Sequence, residues 1–449
     1  MRPRDDRGVF AWMLFDWANQ PFQTLIVTFV FAPYFVAEVI GDPVRGQALW
    51  GVAAGLAGAT IALLAPVLGA MADLTGARKR WIAACSVPYL VGCAGFWLAT
   101  PGMAAPELIL LVYALAFIGS ELGQVFINAM LPDLAPRSET GRISGSGWAL
   151  GYLGGVASLV LVLLLLAPGP GGDTTLLGIP PILGLDPALG EPARATGPLS
   201  ALWYLVFGLP FFLWTPDAPA RRVPRLVRAT FAELGATLRL ATRYRSFFTF
   251  LIASMIYRDA LAALFTFGGI YAAGVLGWCI FQLGVFGIVA ASVGSLGAWL
   301  GGRADRAFGP RPVIVVCIWT LIVVCVVALL TTRASVLGLP VPTGSRLPDH
   351  VFMAAGGFLG AAAGALQAAS RTLLVHQAEG RVASAQAFGL FALSGRATAF
   401  IGPALIAAVT AASGSQRLGV SPVILLFLVG LGLLYWVKTD VEQPQESPA

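Results

Sequence analysis

Twelve long apolar runs, separated by short polar turns, constrain this chain more than anything else in it. About 20 consecutive apolar residues cross a bilayer as a helix, and a helix satisfies its own backbone where no water can. The runs place membrane spans at 10–39, 48–72, 81–100, 106–130, 143–167, 199–214, 246–274, 278–302, 312–332, 350–370, 384–412 and 421–438. At roughly 20 residues each, twelve spans use about 240 residues and leave room for loops. Composition agrees, with 57% of the 449 residues apolar and 11% charged. A water-soluble domain has no use for so much apolar surface. The fold class is therefore an all-α membrane protein.

Arginine and lysine orient it. With the N-terminus inside, the inner segments carry about four times as many of them as the outer loops, the bias of cytoplasmic segments. Both termini then lie in the cytoplasm, and the membrane is a plasma membrane, the inner one in a bacterium. The net charge of +6 is thus a topology signal, and its scatter in small groups between apolar runs excludes nucleic acid as a partner. Cys85, Cys93, Cys279, Cys317 and Cys325 all fall in apolar stretches without a CxxC pair, so they read as packing residues. His350 and His376 are the only histidines, too few for a His-based metal site or triad. With no P-loop, HExxH or GxSxG pattern, no enzyme and no cofactor is expected. Met1-Arg-Pro-Arg-Asp-Asp-Arg7 runs into the first span without a cleavage site of small residues.

Residues 215–245 divide the chain into an N-terminal bundle, 1–214, and a C-terminal bundle, 246–449. In this linker Arg221, Arg222, Arg225, Arg228, Arg239, Arg243 and Arg245 surround Val227, Phe231, Leu234 and Leu238, which share one helical face. That pattern is a basic amphipathic helix on the inner membrane surface. The loop 168–198, rich in Pro and Gly, faces outward as turns with a short helix.

One stretch occurs twice. Gly69-Ala-Met-Ala-Asp73-Leu-Thr-Gly76-Ala-Arg78-Lys79-Arg80 is repeated in order by Gly301-Gly-Arg-Ala-Asp305-Arg-Ala-Phe-Gly309-Pro-Arg311. A second pair, Gly141-Arg142 and Gly380-Arg381, opens a span in each half. Such a Gly/Asp/Arg turn between two spans resembles the signature loop of the major facilitator superfamily. The resemblance implies that superfamily's fold, with 12 transmembrane helices in two pseudo-symmetric six-helix bundles. A Gly at a helix end allows close approach of a neighbour, and an Asp suits the positive N-terminus of another helix. Asp73 is expected near the helix start at Ser384, and Asp305 near the one at Ile143. The gating candidates are Gly69, Asp73, Gly76, Arg78, Arg142, Asp305, Arg311 and Arg381.

Further motifs narrow the likeness. Phe15-Asp16-Trp17-Ala18-Asn19, Gly69 to Arg80, Asn128-Ala-Met-Leu-Pro132, Gly141 to Gly155, Tyr257-Arg-Asp259 and Ser370-Arg371 together resemble the UMF1 family, relatives of the fungal vacuolar amino-acid effluxer Atg22. The chain departs from that family in the seventh span, where Arg258 precedes Asp259 and Ala260 follows, adding a cation.

Polar groups inside spans are costly and mark cavities or helix contacts. Asp16, Asn19, Gln20 and Gln23 form one stripe on the first span, and Glu121, Gln124 and Asn128 another on the fourth. Gln20, Gln124 and Gln367 suit interhelical hydrogen bonds. Asp16, Asn19, Gln23, Glu121, Asn128, Arg258, Asp259 and Arg396 are the substrate or coupling candidates. A solute with both carboxylate and ammonium groups fits Arg258 or Arg396 opposite Glu121 or Asp259. The expected protein is a secondary active transporter of a small polar, amino-acid-like solute, a monomer in lipid, working by alternating access with protons as coupling ion. The alternative is a non-transporting membrane sensor or lipid-handling scaffold that kept the fold.

Overall fold

A computed structural model describes residues 6–168, 174–278, 280–399 and 401–438. Arg2, Arg4 and Cys279 lie outside the described residues, as do the side chains of Leu238 and Arg243. Among those described, twelve helices are long and apolar enough to cross a membrane. They run Asp6–Val39, Arg45–Thr75, Arg78–Leu98, Glu107–Leu134, Arg137–Leu165, Glu191–Trp214, Arg245–Phe265, Gln282–Phe308, Pro310–Leu329, Leu347–Ala378, Ser384–Ser413 and Arg417–Leu434. The sixth begins ahead of the expected residue 199, because a short helix, Glu191–Arg194, leads into Thr196–Trp214. The fifth begins at Arg137 rather than 143, a difference that matters below. Ser335–Val336 and Leu339–Pro340 form a small antiparallel hairpin between the ninth and tenth spans.

The chain forms two compact units that do not follow the midpoint of the sequence. The first comprises Met1–Leu64, Thr75–Ile127 and Ser146–Arg221; the second comprises Ala65–Leu74, Asn128–Gly145 and Arg222–Ala449. The end of the second span and the turn joining the fourth to the fifth therefore pack with the C-terminal half.

In the first unit the first span is irregular. Pro21 has no N–H to give to the Trp17 carbonyl, which instead accepts from Trp203 Nε1 at 3.2 Å. Beyond Pro21 the helix widens into a π-helical stretch, Phe22–Phe29. Phe15 packs edge-on against Tyr204 and Phe211 of the sixth span, and Trp12 Nε1 donates to the Ile127 carbonyl at 2.8 Å.

In the second unit the eighth and tenth spans approach closely. Gly356, Gly360 and Gly364 face Phe286, Ala290 and Gly294, each set four residues apart, and a Cβ at any of the three would strike the partner helix. Without a hydrophobic drive between helices in lipid, such backbone proximity is what holds them together. The eleventh span is broken: a helix Ser384–Ala397 ends just past Arg396, and another begins at Ile401.

Candidate functional site

The two polar stripes of the first unit meet. Gln124 Nε2 donates to Asp16 Oδ1 at 2.8 Å, Ser120 Oγ to Asn19 Oδ1 at 3.0 Å, and Gln23 Nε2 to Glu121 Oε1 at 3.2 Å. These three pairs bridge the antiparallel first and fourth spans as a ladder, its third rung reaching from the π-helical stretch to Glu121, the residue after Ser120. Widened turns of this kind recur at functional sites because they re-aim side chains that a regular helix would stagger. Every rung has a half-buried member, so the ladder is not sealed in a packed core. Ser120 was not singled out from sequence, since one serine in an apolar run carries no signal. Gln20 lies against Gly151 and Gly155 of the fifth span, and a Cβ at Gly155 would press on Gln20 and strike Thr24.

The polar groups of the second unit are arranged differently. Arg258 donates from Nη1 to the Phe391 carbonyl at 2.9 Å, and its guanidinium stacks 4.1 Å over the Phe391 ring. Gly395 leaves the space that the guanidinium fills. Asp259, one residue on and about 100° around the helix, is buried, and the backbone there packs against Gly402. Arg396 is half-buried in the last turn of its helix, where a cation is favoured by the carbonyl end of the helix dipole. Gln367 is half-buried on the tenth span.

Asn128 belongs to the second unit and is taken up by a residue that sequence reasoning noted only as part of a motif. Arg371, 3% exposed, donates from Nη1 to Asn128 Oδ1 at 2.9 Å, from Nε to Ser144 Oγ at 2.8 Å and from Nη2 to the Ser144 carbonyl at 2.6 Å. The fork of the guanidinium thus ties the tenth span to the end of the fourth span and the first turns of the fifth. Beside it, Tyr257 OH and Ser370 Oγ lie 2.7 Å apart, linking the seventh span to the tenth.

The gating candidates gather at the end of the spans where the Arg-rich segments lie. Gly69 packs on the backbone of Ala385 so closely that a Cβ would collide with its carbonyl. Asp73 accepts from the amides of Ala385 at 3.2 Å and Gln386 at 2.8 Å, the contact expected at the Ser384 helix start. These are amides that a helix leaves unpaired, and the charge sits at the positive end of the dipole. Asp305 differs. It is 4% exposed beside Gly141, whose missing Cβ leaves room for the carboxylate. The nearby Thr372 hydroxyl donates to the Ala368 carbonyl at 3.2 Å, and Asp305 Oδ2 has no hydrogen-bond partner among the described residues. The expectation of a helix start at Ile143 is corrected here: the helix begins at Arg137, so Asp305 meets turns whose amides are already bonded within it. Gly301 faces Ala365 of the tenth span, and Gly302 makes the close approach to Gly141 and Gly145.

The other candidates serve local contacts. Gly76 and Ala77 adopt left-handed backbone, with φ of 65° and 47°, and the Arg78 and Lys79 amides donate to Asp217 at 3.0 Å each. Asp217 thereby caps the third span from a distant segment, which sequence spacing could not reveal. Arg142 donates to Glu139 at 2.6 Å, and Arg306 approaches the other Glu139 oxygen at 2.7 Å. Arg311 donates to the Tyr435 carbonyl at 2.9 Å, and Arg381 lies 5.0 Å over the Tyr244 ring.

Comparison with known proteins agrees with this architecture. The uncharacterized MFS-type transporter YxiO of Bacillus subtilis is 25% identical over 97% of both chains. An Autophagy-related protein 22 of Botryotinia fuckeliana is 25% identical over 68% of this chain, which spans about half that relative's length, 51%. Among solved structures, the transporter FucP in its outward conformation superposes with a TM-score of 0.71 at 16% identity, covering 97% of this chain and 98% of that one. The human organic anion transporter MFSD10 superposes at 0.69, also at 16% identity, covering 96% of this chain and all of that one. The fold is that of the major facilitator superfamily, and YxiO, FucP and MFSD10 are each named as transporters. The family model described as "Vacuole effluxer Atg22 like" matches residues 35–446, so the chain belongs to that family.

Proposed function

We propose that this major facilitator protein moves a small polar, amino-acid-like solute across a plasma membrane by alternating access, coupled to protons. The observation that carries the reading is the ladder Asp16–Gln124, Asn19–Ser120 and Gln23–Glu121. Neutral amides alone could serve to hold two helices together, but the carboxylates of Asp16 and Glu121 within spans are expensive in lipid and mark a solute or proton path. On this reading Asp16, Asn19, Gln23 and Glu121 in the first unit, with Asn128, Arg258, Asp259 and Arg396 in the second, bind solute or carry the coupling proton. Glu121 takes up and releases that proton, because a carboxylate bonded to a neutral amide keeps its partner in either protonation state. The Arg-rich end of the spans is cytoplasmic, both termini lie there, and the protein works as a monomer. The contacts of Asp73 and Arg371 then close the inner side and break when it opens.

The test is uptake into proteoliposomes from a panel of amino acids and short peptides, with and without a proton gradient. Gradient-driven accumulation of one of them is expected. Glu121→Gln abolishes the gradient-driven part while counterflow exchange of the same solute persists. Gradient-driven flux undiminished in well-folded Glu121→Gln protein would remove Glu121 from the coupling.

A further inference from the structure

The linker helix Leu226–Arg243 has three distinct faces. Thr230 and Thr237, seven residues apart, form its buried side. Val227 and Phe231 are 64% and 58% exposed, on a face turned about 90° from the threonines given 3.6 residues per turn. Arg228 and Arg239 are exposed roughly another 90° round, and Arg221, Arg222 and Arg225 are exposed just ahead of the helix. A helix that served only the protein would bury Val227 and Phe231. Here the protein takes the threonines, and the apolar and cationic faces lie side by side outside it. That is the arrangement of a helix lying at the boundary between acyl chains and negatively charged headgroups.

Its buried side touches the Asp73 contact. Thr237 Oγ1 donates to Gln386 Oε1, and the backbone N–H of Gln386 is one of the two donors to Asp73. Helix, glutamine and carboxylate therefore form one connected chain within the second unit.

We propose that this helix senses anionic phospholipid in the cytoplasmic leaflet and that its seating there steadies the Asp73 latch through Thr237 and Gln386. The proposal rests on the transporter reading above only in treating that latch as the inner gate. Headgroup phosphates attract the five arginines, Val227 and Phe231 enter the acyl boundary, and Thr237 braces the first turn of the eleventh span from the side. A leaflet without negative charge seats the helix less firmly, the brace is withdrawn, and the latch opens more often.

The experiment uses the full chain with Val382→Cys, a buried position just ahead of the latch where the new side chain is smaller than the old. Its labelling by N-ethylmaleimide, which reaches both sides of a vesicle, is read against the parent protein. Vesicles are of phosphatidylcholine alone or with phosphatidylglycerol. Labelling at least about fivefold faster without phosphatidylglycerol is expected, the low end of coupling between two sites. Replacing Arg221, Arg222, Arg225, Arg228 and Arg239 by Gln makes labelling fast in both lipids. Thr237→Val does the same, and Thr237→Ser, which keeps the hydroxyl, restores the lipid response. Equal rates in the two lipids, or a lipid response that survives Thr237→Val, would overturn the proposal. Asp73→Asn separates the two levels. If it speeds labelling while lipid has no effect, the latch stands and only the lipid sensor falls; if it leaves labelling unchanged, the latch falls and takes the sensor with it.

Discussion

The corner built around Asp73 and the corner built around Asp305 carry nearly the same residues in the same order, yet opposite charges hold them. At the first, Gly380 turns the chain with a left-handed φ of 68°, so a helix starts afresh at Ser384 and presents unpaired amides to Asp73. At the second, Gly141 lies inside a helix already under way from Arg137, and Asp305 Oδ2 finds no donor among the described residues. The buried guanidinium of Arg371 binds that corner instead, through Asn128 and both oxygens of Ser144. A duplicated motif copies side chains; whether a carboxylate can latch depends on where the opposing helix begins.

The largest effect is expected at the cationic corner. Arg371→Ala leaves the Ser144 carbonyl and Asn128 Oδ1 without that donor, at a cost of about 3 kcal/mol or more for lost bonds to a charged group. The thermal unfolding midpoint in detergent should fall by several degrees. Arg371→Lys should recover less than half of it, because an ammonium has no fork to span two residues. If Lys restores the whole midpoint, the fork is not what holds this corner.

Next comes Asp73→Asn, which exchanges an acceptor of two charge-assisted bonds for a group that can accept only one of them well. A loss of about 1.4 kcal/mol corresponds to a tenfold shift in population, and maleimide labelling of Val382→Cys should rise by about that factor. Asp305→Asn sharpens the contrast. Since Oδ2 has no partner among the described residues, an amide there loses no bond seen in the structure, and labelling of the same cysteine should stay within about twofold of the parent. Equal responses to the two substitutions would mean that both corners latch alike, whatever the geometry suggests.

The smallest effect belongs to Glu139, which joins Arg142 to Arg306 across the second corner. Arg306 is 53% exposed, so solvent screens the pair, and Glu139→Gln should cost less than about 1 kcal/mol. The difference in midpoint should fade at about 1 M salt, where the Debye length is roughly 3 Å. A cost that persists there would place Glu139 in a buried network rather than on a solvated rim.

Several features could be read without coordinates. The twelve spans follow from apolar run length alone, since lipid leaves no other way to pair a backbone. Asp16, Asn19 and Gln23 share a face by helical period, as do Glu121 and Gln124, and the stripes do meet. Asp73 could be matched to Ser384 because the apolar run resumes where that helix in fact starts.

What the linear chain could not contain is anything that depends on two distant segments arriving together. Asp217 capping the amides of Arg78 and Lys79 is invisible because a cap is recognised from sequence only when it adjoins its own helix. Arg371 reads as one more inner-loop cation until its burial against Ser144 is seen. The Asp305 error has the same origin: period and composition mark where a helix is apolar, while its first turn can extend over polar residues such as Arg137, Ser138 and Glu139. Sequence alone therefore determined the number of spans, the repeated motif and the polar stripes, because each is a local consequence of hydropathy and helical period. Only the tertiary structure decided which of the two aspartates meets free amides and which cation stands in for the other, because a hydrogen bond needs a donor at about 3 Å and only packing sets that distance.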